Sequence, residues 1–319
     1  MEKPLAVVVS DETILPEICG ANDANLKVLE ELLGVPVFSR GNEIFLETSD
    51  DGIEKTFKLV LQQLVDHIRL GQLPGPDLIR SIHGSLANGE TQKAELLKRK
   101  LVVIPNGYRK VYPRTYNQAV YLDAMEKNEL SFGVGPAGTG KTFLAVAEAL
   151  KQVLGQARRK LIITRPVVEA GESLGYLPGD LTQKIHPYLR PLYDAIESMI
   201  SLESFRRMEE NGVIEIAPLA YMRGRTLSEA FIILDEAQNT TREQMKMFLT
   251  RIGENSRTVV TGDITQIDLP RKSDSGLLTV IPILRGIEEI SFTFFEERDV
   301  VRNPLVRKIV HAYETAHEE

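Results

Sequence analysis

The chain has 319 residues, 43% hydrophobic and 26% charged, which is typical of a globular protein with one large or two modest domains. Its formal net charge of −7 argues against a protein that clamps nucleic acid through bulk positive charge, but leaves room for local basic clusters. The single cysteine, Cys19, excludes an intrachain disulfide framework. Because the first residues, from Met1 to Leu5, show no basic region followed by a long apolar core, and no apolar stretch approaches 18 residues, we expect a cytoplasmic protein without membrane association.

The first 73 residues alternate between strand-like and helix-like patterns and are predicted to form a small α+β module. Leucines spaced for one helix face, and a two-residue Gly-Asn turn between alternating segments, are the main signals. The predicted elements are a strand at 5–9, a helix at 25–33, a hairpin of 35–40 and 43–47 around Gly41-Asn42, and a helix from Asp50 to Leu70.

The α-β-β-α order of this module resembles the KH-like domain of nucleic-acid-binding proteins. No G-x-x-G loop joins two helices here, although that loop is what grips the nucleic-acid backbone in KH domains. Two roles therefore stay open for the module, namely RNA binding, and docking or oligomerisation.

Residues 74–112 are predicted to be a linker that carries a short helix and a short strand. Glycine and proline are concentrated at 71–76, which breaks the preceding helix and marks a boundary. Helical spacing follows at 78–86, and an apolar run at 101–104. A basic run between them could contact phosphate or form a solvated face, and the solvated face is favoured. The run contains Lys93, Lys98, Arg99 and Lys100.

From residue 113 to residue 319, short apolar segments alternate with helical patterns. This alternation is typical of an α/β layer fold with a mostly parallel sheet. The predicted strands are 130–134, 160–164, 213–217, 230–234, 257–261 and 290–294.

The segment 135–142, Gly-Pro-Ala-Gly-Thr-Gly-Lys-Thr, satisfies the P-loop pattern G-x-x-x-x-G-K-[ST]. A predicted strand precedes it and a helical pattern follows it, and this setting disfavours a chance match by a glycine-rich turn. Such a loop turns backbone N–H groups toward an anion at a helix N-terminus. Lys141 would bridge the β- and γ-phosphates of ATP, and the Thr142 hydroxyl would ligate Mg²⁺. The predicted nucleotide-binding residues here are Gly135, Pro136, Ala137, Gly138, Thr139, Gly140, Lys141, Thr142 and Phe143.

Two carboxylates, Asp235 and Glu236, directly follow the predicted strand 230–234. Ligands gather at this end of open parallel sheets. Asp235 would hold Mg²⁺, and Glu236 would polarise the water that attacks the γ-phosphorus, as in a Walker B pair. Alone, such a pair is better explained as a surface pair that ends a strand, but its position about a hundred residues after a P-loop favours catalysis.

Two further segments resemble motifs of superfamily 1 helicases. Gly262-Asp263-Ile264-Thr265-Gln266 resembles motif III, which implies that the Gln266 amide senses the γ-phosphate. Residues 115–119 resemble the Q-motif, which implies that Gln118 reads adenine and favours ATP over GTP; a plain helix N-terminus is the alternative.

The order of these motifs resembles the PhoH-like protein family over about residues 113–319. Further matching segments are Thr164-Arg165-Pro166, residues 175–181, residues 235–239 and residues 299–306. The resemblance implies a cytoplasmic RecA-like P-loop ATPase that is related to superfamily 1 helicases and associated with RNA metabolism. It implies ATP and Mg²⁺ as cofactors.

The chain has room for one RecA-like core, whereas superfamily 1 helicases close two such cores around ATP. We therefore expect a homo-oligomer, a hexameric ring with ATP at the subunit interfaces and an arginine finger supplied by a neighbour. Arg302 is the leading candidate, and Arg223 and Arg225 are others; each could instead form a surface ion pair. Residues 170–180 with Lys184, His186, Tyr188 and Arg190 could face the ring channel as a single-strand track.

Two functions of different classes follow from these motifs. The first is an RNA-stimulated ATPase with RNA helicase or remodelling activity. The second is an ATP-dependent switch or scaffold that controls a protein partner in RNA metabolism without translocation. A small-molecule kinase is disfavoured, because a water-polarising glutamate such as Glu236 suits hydrolysis better than transfer to a protected acceptor.

Overall fold

The computed structural model describes residues 5–9, 11, 13–87, 91–105, 110–166 and 181–301. The chain divides into two compact units. The first unit comprises residues 1–101 and 112–119, and the second comprises residues 102–111 and 120–319. Among the described residues, no helix combines the length and the apolar character that crossing a lipid bilayer requires.

The first unit is an antiparallel three-stranded sheet with helices. Its sheet has the order β1-β3-β2, in which Val7 lies opposite Ile44 and Val37 opposite Leu46. The elements are β1 (Leu5–Val8), α1 (Leu15–Cys19), α2 (Ala24–Leu33), β2 (Val37–Arg40), β3 (Glu43–Leu46), α3 (Asp51–Arg69), α4 (Pro76–Ala87) and α5 (Thr91–Arg99). The predicted strand, hairpin and two helices are all present, and the KH-like relationship stays a prediction.

The long helix α3 shows how sequence sets the structure of this unit. The Asp50 carboxylate accepts hydrogen bonds from the N–H groups of Gly52 and Ile53, which caps the helix start. Its apolar stripe, which includes Phe57 and Leu64, is buried in the core of the unit. Burial of the stripe, more than helix propensity, stabilises such a helix.

Residues 74–87 and 91–101 belong to the first unit, where α4 and α5 contribute Leu78, Ile82 and Leu97 to the same core. The basic run on α5 is paired with acidic side chains. Lys98 lies 3.2 Å from Asp66 and 3.1 Å from Glu95, and Arg99 also pairs with Glu95. These contacts support the solvated-face interpretation, since surface ion pairs of this kind are typical of an exposed helix.

The second unit confirms the α/β fold class. Its six-stranded sheet has the order β11-β6-β10-β9-β7-β8, and every neighbouring pair is parallel. All six predicted strands are present, with ends that shift by at most one residue. The elements are β4 (Val102–Val103), β5 (Lys110–Val111), α6 (Tyr116–Lys127, of which residues 120–127 belong to this unit), β6 (Leu130–Val134), α7 (Lys141–Leu154), β7 (Lys160–Arg165), α8 (Leu181–Glu197), α9 (Leu202–Glu210), β8 (Ile214–Pro218), β9 (Ala230–Leu234), α10 (Arg242–Leu249), β10 (Arg257–Gly262), α11 (Gly276–Leu284) and β11 (Ile290–Phe294).

The sheet of the second unit is covered on both faces. Alternate residues of β9 point to opposite layers: Phe231 and Ile233 join a core with α7, α8 and α9, whereas Ile232 and Leu234 join a core with α10 and α11. A strand buried on both faces reads as a continuous apolar run, which is why β9 could be recognised in the sequence.

The chain order of the strands creates a crevice at their carboxyl ends. After β6 the chain crosses over β10 and β9 to reach β7, and it later returns through β9 and β10 before β11 pairs with β6 on the other side. Ligands bind at such a topological switch point. The segments that follow β6, β7, β9 and β10 therefore meet at one edge of the sheet.

Candidate functional site

The loop after β6 has the backbone of a phosphate cradle. Gly138 and Gly140 adopt φ values of 84° and 81°, and Gly140 is the N-cap of α7. Gly135 has φ 150°, and a Cβ there would lie 2.5 Å from the carbonyl oxygen of Phe295. Helix N-termini with inward-turned N–H groups bind anions, so the loop has the geometry that the P-loop pattern predicts.

Lys141 lies inside this cradle and is 8% exposed. Its Nζ donates to the carbonyl oxygens of Gly135 and Pro136 at 2.6 and 2.7 Å, and it lies 3.3 Å from Thr139 Oγ1. A buried ammonium needs such partners, because an unpaired charge in the interior is strongly disfavoured. Phosphate oxygens can take over these hydrogen bonds, since an ammonium donates in three directions.

Asp235 is 4% exposed and holds the strand end against the cradle. Its Oδ1 accepts hydrogen bonds from the hydroxyl of Thr142 at 2.6 Å and from that of Thr261 at 2.7 Å. The loop after β6, the end of β9 and the end of β10 thus converge on one carboxylate. Burial and, less strongly, the charge of Asp235 raise the pKa of Tyr121 well above its ordinary value.

Glu236, the next residue, adopts a left-handed backbone with φ 52°. Its side chain is 36% exposed and lines the cavity beside the P-loop. Gln238 Nε2 donates to Glu236 Oε2 at 2.5 Å, and the Arg165 guanidinium lies 3.4 Å from Oε1. Each oxygen of the Glu236 carboxylate therefore has a donor beside it, and part of the side chain remains exposed to solvent.

A buried amide links Glu236 to the loop after β10. Gln238 is fully buried; its Oε1 accepts from the Asp263 N–H at 3.0 Å, and the Asp263 carboxylate accepts from the Ala137 N–H at 3.0 Å. Because a carboxylate can only accept and an N–H can only donate, the orientation of the Gln238 amide is defined by its partners. Sequence reasoning assigned no role to Gln238 or Arg165, although both lie in segments that match the family pattern.

The cavity bounded by these segments has a volume of about 240 Å³. Most of the predicted site residues line this cavity, and Asp263 lines it as well. The predicted residues in the lining are Ala137, Gly138, Gly140, Lys141, Thr142, Phe143, Asp235, Glu236 and Gln266, and Lys141 Nζ is in turn bonded to Gly135, Pro136 and Thr139.

Gln266 lies at the mouth of this cavity. Its N–H donates to the carbonyl of Asp263 at 3.1 Å, and its side chain is exposed. The γ-phosphate-sensing role predicted for Gln266 is thus compatible with its position.

Gln118 belongs to the first unit, where its Oε1 accepts from the Arg114 N–H at 2.7 Å. Its role in adenine recognition stays a prediction. Arg302 lies outside the described residues, as do residues 167–180 and the side chains of Lys184 and His186. The preceding residue, Val301, donates its N–H to the Gly138 carbonyl at 3.0 Å.

The other arginine-finger candidates differ in their surroundings. Arg225 forms a two-pronged ion pair with Glu215 at 2.5 and 2.7 Å, and this pair lowers the pKa of Glu215. Arg223 is exposed. Arg190, from the proposed single-strand track, pairs with Asp194 at 2.7 Å. Arg225 and Arg190 are thus occupied within their own chain, whereas Arg223 presents its charge to solvent.

Comparisons with known proteins agree with the motifs. The family model described as PhoH-like protein matches residues 110–314. A PhoH-like protein of Mycobacterium tuberculosis is 47% identical over 299 residues, covering 93% of this chain and 84% of the relative. A PhoH-like protein of Bacillus subtilis is 45% identical and covers 92% of each chain. Protein PhoH of Escherichia coli is 45% identical over 64% of this chain and 58% of its own length. The chain belongs to the PhoH-like protein family.

Proposed function

We propose that the protein hydrolyses ATP in a Mg²⁺-dependent reaction. The observation that carries this proposal is the convergence of Thr142, Asp235 and Glu236 beside the P-loop. The loop N–H groups and Lys141 bind the phosphates, and Glu236 orients the attacking water. Gln266 contacts the γ-phosphate from the mouth of the cavity.

The residues present fit a Mg²⁺ ion. Thr142 and Asp235 offer hard oxygen ligands within 2.6 Å of each other, and Mg²⁺ in nucleotide sites takes one or two carboxylates with phosphates and waters. Among the described residues no cluster of three or more His, Cys, Asp or Glu could hold a metal, and this type of site does not require one. When bound, the ion neutralises charge on the phosphate oxygens.

The test is steady-state ATPase activity with Mg²⁺. Lys141→Ala removes the buried cation and should abolish most turnover. Glu236→Gln keeps the size of the side chain and should leave binding of a non-hydrolysable ATP analogue within about threefold while lowering kcat on the order of 10²-fold or more. ATP turnover by the Lys141→Ala variant at the wild-type rate would refute this mechanism. Comparing ATP with GTP in wild type and Gln118→Ala tests the base preference.

We further propose a ring-shaped homo-oligomer, a hexamer, with ATP at the interfaces. The described residues that line the cavity carry one cation, Lys141, against three carboxylates, Asp235, Glu236 and Asp263, and the adjacent Arg165 guanidinium faces Asp235 and Glu236. A triphosphate adds more negative charge, so a cation from a neighbour would complete the site. The cavity volume of about 240 Å³ is also below the roughly 300–1,000 Å³ of pockets that enclose whole ligands.

Mixing two inactive chains distinguishes a finger in trans from one in cis. A Lys141→Ala chain supplies an intact Arg302, and an Arg302→Ala chain supplies an intact P-loop. If Arg302 acts across the interface, co-assembled chains regain activity. If Arg302 acts on its own P-loop, against which Val301 is bonded, no chain in the mixture is complete and activity stays absent.

The ligand that we propose for the ring is RNA, with helicase or remodelling activity. Support comes from the motif III-like segment ending at Gln266, and from the family's association with RNA metabolism. RNA should stimulate ATPase activity, and binding should weaken steeply as salt rises. Indifference to RNA together with stimulation by a protein would favour the switch or scaffold function instead.

A further inference from the structure

Arg165 is the last residue of β7 and lies over both strand-end carboxylates of β9. In the parallel pairing Thr164 lies opposite Leu234, so the next residues, Arg165 and Asp235, leave the sheet side by side. The guanidinium is 3.9 Å from Asp235 Oδ2 and 3.4 Å from Glu236 Oε1. Its side chain is 22% exposed, so most of this charge is removed from solvent.

A second contact fixes the same guanidinium from outside the sheet. One of its nitrogens donates to the main-chain carbonyl of Tyr188 in α8 at 3.1 Å. Arginine suits such a position because its planar fork can serve several acceptors at once. Arg165 thus joins α8 to the carboxylates of β9.

The backbone alone does not fix the carboxylate of Glu236, because its side chain is 36% exposed and is not enclosed by packing. Gln238 restrains one carboxylate oxygen, and Arg165 faces the other. Donors on both oxygens define the plane of a carboxylate. Loss of either donor leaves Glu236 able to turn away from the attacking water.

We infer that Arg165 is a positioning residue that orients Glu236 for ATP hydrolysis and ties that orientation to α8. The inference rests on the proposed ATPase function. Arg165 differs in role from Lys141 and from a finger in trans, since its contacts are to the carboxylates of its own chain. Because Glu236 is the nearer of the two carboxylates, we expect the effect of Arg165 on rate to pass mainly through Glu236.

A double-mutant cycle with Glu236→Gln tests this dependence. Arg165→Ala should lower kcat on the order of 10- to 100-fold, as expected for a misplaced catalytic group, and should leave the Kd of a non-hydrolysable ATP analogue within about threefold. Arg165→Lys should give an intermediate kcat, because it keeps the charge but not the fork. In the Glu236→Gln background, Arg165→Ala should lower the single-turnover rate no more than about threefold further, because coupled residues are non-additive.

Arg257→Ala is the matched control for loss of a half-buried arginine. Arg257 lies at the opposite end of the sheet and donates to the carbonyls of Met125 and Asn128. Its loss should lower the unfolding midpoint without changing kcat by more than about twofold. If Arg165→Ala fails to fold, Arg165→Gln and Arg165→Lys take its place in the cycle.

Three results would overturn the inference. These are a wild-type kcat in Arg165→Ala, a multiplicative loss in the Glu236→Gln background, and a large rise in Kd with unchanged kcat. Each of these results would still be consistent with the proposed ATPase function, provided that the wild-type protein hydrolyses ATP and the Lys141→Ala variant does not. Absence of hydrolysis in wild type would instead refute the proposed function.

Discussion

Gly135 offers a quantitative test of the cradle, because the structure leaves no room for a side chain there. A Cβ at this position would lie 2.5 Å from the Phe295 carbonyl oxygen and 2.7 Å from the Phe295 Cβ. Ordinary contact begins near 3.4 Å, so the loop would retreat by about 0.9 Å from the neighbouring main chain. Main-chain atoms cannot rotate away as a flexible side chain would.

Two costs add in Gly135→Ala. Its φ of 150° is unfavourable for alanine, and such sparsely populated conformations cost about 1–3 kcal/mol. Overpacking against fixed atoms costs about 1–3 kcal/mol more. We expect a loss of about 2–6 kcal/mol from a typical stability of about 5–15 kcal/mol. A shift near 1 Å in the cradle should also lower kcat on the order of 10²-fold.

Gly286→Ala is the control that separates the cost of the backbone conformation from the cost of overpacking. Gly286 has φ 104°, yet no atom lies within 4 Å of the position that a Cβ would take. This variant should therefore lose only the backbone cost of about 1–3 kcal/mol and keep wild-type activity. Because the chain has no tryptophan, urea unfolding is followed by circular dichroism. Equal midpoints for the two variants, with wild-type turnover in Gly135→Ala, would refute the steric reasoning.

Two further predictions concern buried polar groups. Gln238→Leu leaves the Asp263 N–H without its acceptor and one oxygen of Glu236 without its donor. We expect a loss of about 1–3 kcal/mol in urea unfolding and a lower kcat, and an unchanged kcat would contradict the orienting role of this amide. Burial lowers the pKa of His67 below its ordinary value near 6.5, so the unfolded chain binds the proton first. Stability of the first unit should be complete above about pH 6.5 and fall as pH drops toward the folded-state pKa. His67→Gln should flatten this dependence below about pH 6.5, whereas an unchanged slope would assign it to other groups.

The strands could be predicted because burial leaves a mark in the sequence. Residues 230–234 are apolar at every position since both faces of β9 are covered, and the carboxylates Asp235 and Glu236 mark where the strand ends. The same reasoning located the P-loop after β6. A local sequence pattern was sufficient to predict a strand or a loop wherever a single segment of the chain contained the whole pattern.

The partners of those residues could not be predicted from local pattern. Thr261 and Arg165 reach Asp235 from strands 26 and 70 residues away along the chain, through pairing that only the folded sheet creates. Similarly, the apolar stripe of α4 was visible at 78–86, but its packing against the first unit depends on tertiary contacts. The alternation or helical spacing of apolar residues indicates which face of a strand or helix is buried, but it does not indicate which other element packs against that face.

The left-handed backbone of Glu236 connects these long-range contacts to the chemistry. A non-glycine residue in this conformation costs on the order of 1–3 kcal/mol and persists only where its surroundings enforce it. Here the turn at Glu236 starts the short 3-10 helix Ala237–Asn239, whose Gln238 is buried and bonded to Asp263. The chain therefore turns sharply at this point, which brings the side chains of Glu236 and Gln238 close enough to form a hydrogen bond. A relaxed backbone at 236 would separate the two side chains, so the strain is the structural condition for holding the carboxylate beside the phosphate cradle.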